Sequence, residues 1–389
     1  MTLRVLQVVG AMNRGGAEVF IMNMFREIRR YGIEFDFAVN TTGPGEFDDE
    51  IRALGGRILA HPNPGEAGFR LYGKALRRTL EHYGPFDAVH SHVRLFSGWV
   101  LRVAANAGVP VRIAHGHSVA DGQPRSLKRQ AYALCMRWLL RRNGTHLFGC
   151  SRAVCEAVYG TMCWKDPRVR VVPNAIRIEE YTGSLDGRKS LCDDLNIPLR
   201  SLLIGHVGNF REPKNHSFLL DLFTALSAKR PDARLILVGD GPLRPAVEAE
   251  VLARKLVSNV HFLGTRRDVP RLLGSLDVVV LPSLWEGIPV SIIEAQACGT
   301  PCVVSDVVPL EVDVGLGLVH FTSLSSGIAS WIQAVLAQEG RQRPSWISSP
   351  WIKPRLDGAA IDGGNAADEP SGPWASGVQP PADRGLACT

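Results

Sequence analysis

Short apolar runs alternate with amphipathic stretches along this chain, and the whole pattern occurs twice. In the first pass "RVLQVVG" reads as a strand and "AEVFIMNMFREIRRYG" as a helix stopping at Gly32. "EFDFAVN", "DAVHSH", "VRIAHGH" and "HLFGCS" read as further strands, with helical segments between several of them. After "VRVVPNAI" the alternation restarts: "SLLIGHVGNF", "ARLILVGDG", "VHFLG", "DVVVLPS" and "PCVVSD" read as strands of a second unit. Such alternation builds parallel sheets covered by helices on both faces. The expected fold is therefore α/β, with two doubly wound, Rossmann-like domains facing across a cleft and ligand at the carboxyl ends of the strands. The turn formers Pro173 and Asn174 mark the junction, giving an N-terminal domain over 1–172 and a C-terminal domain over 173–340. At 389 residues the chain is longer than one ordinary core requires.

Beyond that the periodicity stops. Residues 343–389 carry seven Pro, six Gly and three of the chain's eight Trp. This composition disfavours regular structure, so 341–389 is expected to be a disordered, atypical tail, as a change of reading frame would produce.

Charge is unevenly spread. Residues 1–172 hold 24 Lys and Arg against 14 Asp and Glu, whereas 173–389 hold 20 against 24. The basic half suits an anionic partner, either a membrane surface or a phosphorylated substrate, although solvated basic helix faces would look the same. The basic residues are not interleaved with a stacking platform, which argues against a nucleic-acid partner. Eight cysteines occur without a CxxC pair, no apolar run is long enough to span a bilayer, and "MTLRVLQVVG" reads as a first strand. The expectation is a cytoplasmic protein, peripheral at the inner face of the plasma membrane if the segment 124–144 lies on it. That segment sets Arg125, Lys128, Arg129, Arg137, Arg141 and Arg142 around Trp138, Leu139 and Leu140.

Three strand-to-helix turns could carry chemistry. In "GAMNRGGAE" (10–18), Gly15 and Gly16 permit a tight turn and a close backbone approach to an anion at the next helix's N-terminus. The spacing does not match GxGxxG, and a structural glycine turn explains it nearly as well. In "GHVGNFREPKNH" (205–216), Arg211 and Lys214 are placed to reach a diphosphate, Arg by forking two oxygens and Lys as a point charge. In "SLWEGIPVSIIEAQACGTPCVVSD" (283–306), Gly287 and Pro289 open a helix and Gly299 closes it, with Glu286 before it and Glu294 inside it. Two carboxylates there would repel phosphates but accept strong hydrogen bonds from sugar hydroxyls.

This last stretch closely resembles the Glu–seven residues–Glu signature of retaining glycosyltransferases of family 4, which have the GT-B fold. The resemblance runs in order through "GGAE", "PNAI", "VGNFREPKNH", "VGDGP" and "FLGTRRDVPRLLGSLDVVVLPS", over about residues 3–325, and is nearest to bacterial exopolysaccharide and capsule enzymes. It implies transfer of a sugar from a nucleotide-diphosphate donor, with UDP the expected nucleotide, to a saccharide or undecaprenyl-linked saccharide. Glu294 would bind the ribose hydroxyls and Glu286 the donor sugar, with Gly287, Ile288 and Pro289 in the same loop. Lys214 and the Gly15–Gly16 turn would hold the diphosphate. The loops holding Gly239 and Gly241 ("VGDGP") and Gly264 ("HFLGTRR") would border the nucleobase. Where relatives carry an Arg before the Lys, this chain has Asn209, and Arg211 is the candidate substitute.

Family members also place a histidine at a first-domain strand end beside the reacting sugar. In "RIAHGHS" either His115 or His117 could fill that role; alternation puts both on one strand face, and His117 is preferred. His90 and His92 end the neighbouring strand reading. The chain contains no Asp-x-Asp pair, so no metal and no cofactor is expected in the transfer, and "HSH" with "HGHS" lacks the Cys or carboxylate spacing of a metal site. Two other outcomes stay open from sequence: a sugar-nucleotide epimerase of the same architecture, and a donor-binding remnant whose catalysis is impaired by its atypical end.

Overall fold

The computed structural model describes residues 2–120, 126–174, 176–181 and 187–341. The reading of a disordered tail falls beyond Arg341, outside the described residues, as does Arg125 of the basic segment.

Two all-parallel sheets form among the described residues. The first contains β1 (Leu3–Val9), β2 (Ile33–Val39), β3 (Ile58–Ala60), β4 (Ala88–Ser91), β5 (Val111–Gly116), β6 (His146–Gly149) and β7 (Val169–Val171). Its order is β3-β2-β1-β4-β5-β6-β7. The second contains β8 (Leu203–Val207), β9 (Arg234–Val238), β10 (Val260–Gly264), β11 (Val278–Leu281), β12 (Cys302–Ser305) and β13 (Val319–Thr322). Its order is β10-β9-β8-β11-β12-β13. Strand order reverses direction between β1 and β4 and again between β8 and β11. At these two switch points the connections leave toward opposite faces and open a crevice at the strand ends.

The local reasons are ordinary ones. Central strands such as β11, "VVVL", are buried throughout because helices cover both faces, so they read as unbroken apolar runs. Helix Gly16–Ile28 starts from an extended Gly15 and turns Phe20, Ile21 and Phe25 inward; its Phe25 stacks on Phe35 of β2 at 5.2 Å. Each such buried side chain contributes roughly 1.5–3 kcal/mol. Gly32, at φ 72°, takes the left-handed cap that ends the segment. Across the molecule, Trp331 of helix Gly327–Leu336 is fully buried against Phe218 of helix His216–Lys229.

Three strands escape the sequence reading, β3, β7 and β13, and all are sheet edges of three or four residues. Their partly exposed side chains leave no apolar run to notice. The basic segment is also corrected. Its helix runs Leu127–Asn143, but Leu139 and Leu140 face the core, where Gly98 lets the helix Ser97–Asn106 approach closely. The exposed apolar residues are Leu127, Leu134 and Trp138. Arg137 and Arg141 donate to the carbonyls of Ala157, Val158 and Tyr159 and so brace the next helix. No helix among the described residues is long and apolar enough to cross a membrane.

Candidate functional site

The switch point of the second sheet brings together residues far apart in sequence. After β8 the chain makes a short turn over Glu212–Lys214, and Asn215, at φ 52°, redirects it into helix His216–Lys229. Asn215 Nδ2 donates to the Pro282 carbonyl at 3.0 Å, and Leu284 N to the Pro213 carbonyl at 2.8 Å, tying this loop to the one after β11. Lys214 Nζ then donates to Glu286 Oε1 at 2.6 Å, and Ser283 Oγ donates to the same oxygen at 2.7 Å. The two charged side chains are only 13% and 12% exposed. Withdrawing an ion pair this far from water costs desolvation that the attraction roughly offsets, so the pair adds little stability. It places one cation and one carboxylate at the position where an α/β fold binds ligands.

Glu294 lies on helix Val290–Ala297, partly buried. Tyr181 Oη donates to its Oε1 at 2.6 Å. Burial raises the carboxyl's pKa, while the Tyr181 bond and the Arg14 charge pull it down. Tyr181 belongs to the connection between the sheets, which straps this loop at a second point: Asn174 Nδ2 donates to the Ile288 carbonyl at 2.8 Å. From sequence Asn174 reads only as a turn former at the junction, and Tyr181, in a connecting segment, carries no signature of its own.

The loop facing Glu286 comes from the first sheet. A methyl group on Gly287 would lie 2.1 Å from the His117 carbonyl oxygen and 3.0 Å from Cys150 Sγ, so only glycine fits between the two halves there. One on Gly16 would meet the Val290 side chain at 3.7 Å. Glu18, in the first turn of helix Gly16–Ile28, faces the same crevice. Burial raises its pKa to about 7, against the pull of its own backbone amide and of Arg211 in the loop after β8. Within "GGAE" the sequence marks Glu18 with no role of its own. Arg211 itself is exposed at the rim.

Gly239 and Gly241, at φ 134° and 158°, press against the backbone of Gly208 and Phe210; any side chain would collide at 2.1 and 2.7 Å. They fix the spacing between this loop and the one holding Asn209, as do the bonds from Gly208 N to Val238 O and Phe210 N to Asp240 O. Gly264, at φ 64°, ends β10, and its carbonyl accepts from Gly239 N at 2.9 Å.

At the first sheet's switch point four histidines share one face. Register pairs Gln7 of β1 with His90 of β4, and His90 with Ile113 of β5, so alternation puts Gln7, His90, His92, His115 and His117 on the same side. His92 Nδ1 lies 2.8 Å from His117 Nε2, and His92 Nε2 lies 2.8 Å from Gln7 Oε1. Phe20 covers the group, edge-on to His115 at 5.2 Å. Burial keeps all four rings neutral, taking His90 down to about 3 and His117 to about 4. It also takes His92 and His115 well below the ordinary value, with neighbouring rings adding to the effect. His115 is 1% exposed, whereas His117 is half-buried and its carbonyl meets Gly287.

Residues 15–175 match the family described as "Glycosyl transferase 4-like domain", and 201–336 match "Glycosyl transferases group 1". The chain is 37% identical over 341 residues to a Bacillus subtilis (strain 168) protein described as a glycosyltransferase, EpsF, covering 88% of this chain and 89% of that one. It is 30% identical over 229 residues to an Escherichia coli UDP-Gal:alpha-D-GlcNAc-diphosphoundecaprenol alpha-1,3-galactosyltransferase, covering 57% of this chain and 58% of that one. Among solved structures, Anabaena HepE in complex with UDP and glucose superposes with a TM-score of 0.74 at 18% identity, covering 92% and 96% of the two chains. WaaG, a glycosyltransferase involved in lipopolysaccharide biosynthesis, superposes with a TM-score of 0.69 at 15% identity, with the same coverage.

Proposed function

The chain belongs to the family 4 type of GT-B glycosyltransferases, and from that premise we propose that it moves a sugar, with retention of configuration, from a nucleotide-diphosphate sugar to a saccharide or undecaprenyl-linked saccharide. UDP is the nucleotide of choice, since a relative uses UDP-Gal and a structural neighbour holds UDP. The same relative's diphosphoundecaprenol acceptor favours a lipid-linked one here, in the assembly of an exported polysaccharide. The domains divide at 172/173, residues 1–172 serving the acceptor and 173–340 the donor.

The observation that carries this reading is the meeting of Lys214 with Glu286 at the second switch point, 72 residues apart and 2.6 Å in distance. When donor enters, the pair separates: Lys214 turns to the diphosphate and Glu286 to the sugar hydroxyls. Glu294, oriented by Tyr181, takes the ribose hydroxyls. Arg211, the Gly15–Gly16 helix start and the amides of Gly287 and Ile288 complete the anion site, with Asn209 beside it and Pro289 opening the next helix. The loops of Gly239, Gly241 and Gly264 flank the base. As the bond from the anomeric carbon to the phosphate oxygen breaks, Lys214 and the helix dipole stabilise the charge that develops, with no metal at the diphosphate. The acceptor hydroxyl attacks the same face and passes its proton to the departing phosphate. No carboxylate is offered as a nucleophile, since Glu286 is committed to hydroxyls. His117, nearer the cleft than His115, contacts the reacting sugar.

The acceptor-side domain meets an anionic membrane through Leu127, Leu134 and Trp138, flanked by Lys128, Arg129 and Arg142, whose guanidinium lies 5.7 Å over the Trp138 ring. Nucleic acid is not a partner, and the protein works at the inner face of the plasma membrane.

Incubating the protein with a panel of nucleotide sugars and a lipid-linked acceptor tests the reading. Release of nucleoside diphosphate, abolished by Glu286→Gln and Glu294→Gln, supports it. A changed sugar without acceptor would identify an epimerase, and saturable donor binding without turnover a catalytically impaired remnant.

A further inference from the structure

The face of a doubly wound sheet that packs beneath a helix is normally apolar, and here it carries four imidazoles and a carboxamide. Sugar transfer as proposed above uses only His117. His90, 6% exposed, has no hydrogen-bond partner at Nε2; His117 has none at Nδ1, and Gln7 none at Nε2. No hydrogen bond of ordinary geometry reaches either ring nitrogen of His115. A buried polar atom left without a partner forfeits its hydration, so this many in one place need an explanation such as an ion or ordered water. The rings are also gathered. His90 lies 4.1 Å from His92 and 5.5 Å from His115 between centroids, and His92 lies 5.7 Å from His115. One nitrogen from each of these three falls within 4.8 Å of the others.

We infer that His90, His92 and His115 form a three-histidine site for a divalent transition metal, Zn2+ above all, roofed by Phe20 and placed at the ends of β4 and β5. This inference is independent of the sugar-transfer reading. Zn–N bonds of about 2.0–2.1 Å set neighbouring nitrogens of a tetrahedron roughly 3.4 Å apart, so nitrogens now within 4.8 Å of one another need draw in by at most about 1.4 Å. Imidazole nitrogen selects zinc, copper or nickel over calcium or magnesium, which require oxygen ligands absent from these three. One nitrogen of His92 can bind metal while the other keeps its contact with Gln7 or His117, the kind of outer partner that orients a histidine ligand. The fourth position is left for water. The metal would brace the strand ends from which His117 reaches toward Gly287. The spacing within "HSH" and "HGHS" hides this arrangement, because two ligands come from β4 and the third from β5.

The test uses the full chain, purified without a histidine tag and stripped with chelator, then titrated with Zn2+ and separately with Co2+. The site predicts one equivalent of either metal, a visible Co2+ spectrum without thiolate-to-metal charge transfer, and a raised unfolding midpoint. His90→Gln and His115→Asn, kept polar to preserve the fold, should each lower Zn2+ affinity at least tenfold. Absence of stoichiometric uptake by the wild-type chain overturns the inference. So does a thiolate band, or uptake undiminished in both variants. Should either variant fail to fold, as judged by near-ultraviolet circular dichroism, the wild-type Co2+ spectrum still decides.

Discussion

Gly287→Ala isolates the contact that closes the cleft. The added methyl would sit 2.1 Å from the His117 carbonyl oxygen, 2.9 Å from its carbonyl carbon and 3.0 Å from Cys150 Sγ. Ordinary contact begins near 3.4 Å, so the two backbones must separate by roughly 1.3 Å. Neither can yield by rotating a side chain, since His117 is engaged through its main chain and Cys150 is fully buried. If the strain stays in place it costs about 1–3 kcal/mol, as overpacking does. If the domains open instead, stability is spared and the donor loop moves away from the first domain by about an ångström, enough to lower turnover about 100-fold. The assay is therefore a pair: thermal unfolding, and donor turnover under saturating acceptor. The substitution should lower the unfolding midpoint, kcat/KM, or both. A variant with wild-type melting and turnover within threefold would refute the close approach of Gly287 and His117.

Three further outcomes follow from the site. Glu18 titrates near 7 in the folded protein but near 4.5 when unfolded, so the native state holds a proton the unfolded chain has released. Stability should therefore fall as pH rises from about 4.5 to about 7, by up to about 3 kcal/mol, and Glu18→Gln should flatten that limb of a denaturation-versus-pH series. Tyr181→Phe removes the 2.6 Å bond to Glu294, a charge-assisted bond of about 1.5–3 kcal/mol, and should weaken donor affinity about tenfold by calorimetry while the fold persists. Vesicles containing anionic lipid should float the protein at low salt, and Trp138→Ala with Leu134→Ser should abolish flotation; no flotation of the wild-type chain would reject the membrane face.

Much of this architecture could be read from residues alone, and the failures have physical causes. Buried parallel strands such as β8, β9 and β11 announce themselves as apolar runs, whereas β3 and β13, exposed on sheet edges, do not. Leu139 and Leu140 look like part of a surface stripe beside Trp138, yet the helix turns them inward against Gly98. Lys214 and Glu286 were each legible as site residues, but nothing in sequence tells that β8 and β11 are neighbours, which is what brings them to 2.6 Å. The glycines at 239 and 241 suggest a nucleotide loop; the structure adds that they are glycines because another loop's backbone lies against them. Tyr181 and Glu18 carry no signature in sequence and Asn174 only that of a turn former, because what each does is set by what it meets in the fold: the Glu294 carboxylate, the Arg211 charge and the Ile288 carbonyl.

The central claim is that the crevice around Lys214, Glu286 and Glu294 holds a nucleotide-diphosphate sugar. Isothermal titration of the full chain with UDP and UDP-sugars tests it without requiring an acceptor. The account predicts saturable binding at one site per chain, weakened at least tenfold in both Lys214→Ala and Glu294→Gln. Binding of equal strength in the wild type and both variants, or no binding of any nucleotide sugar, would contradict it.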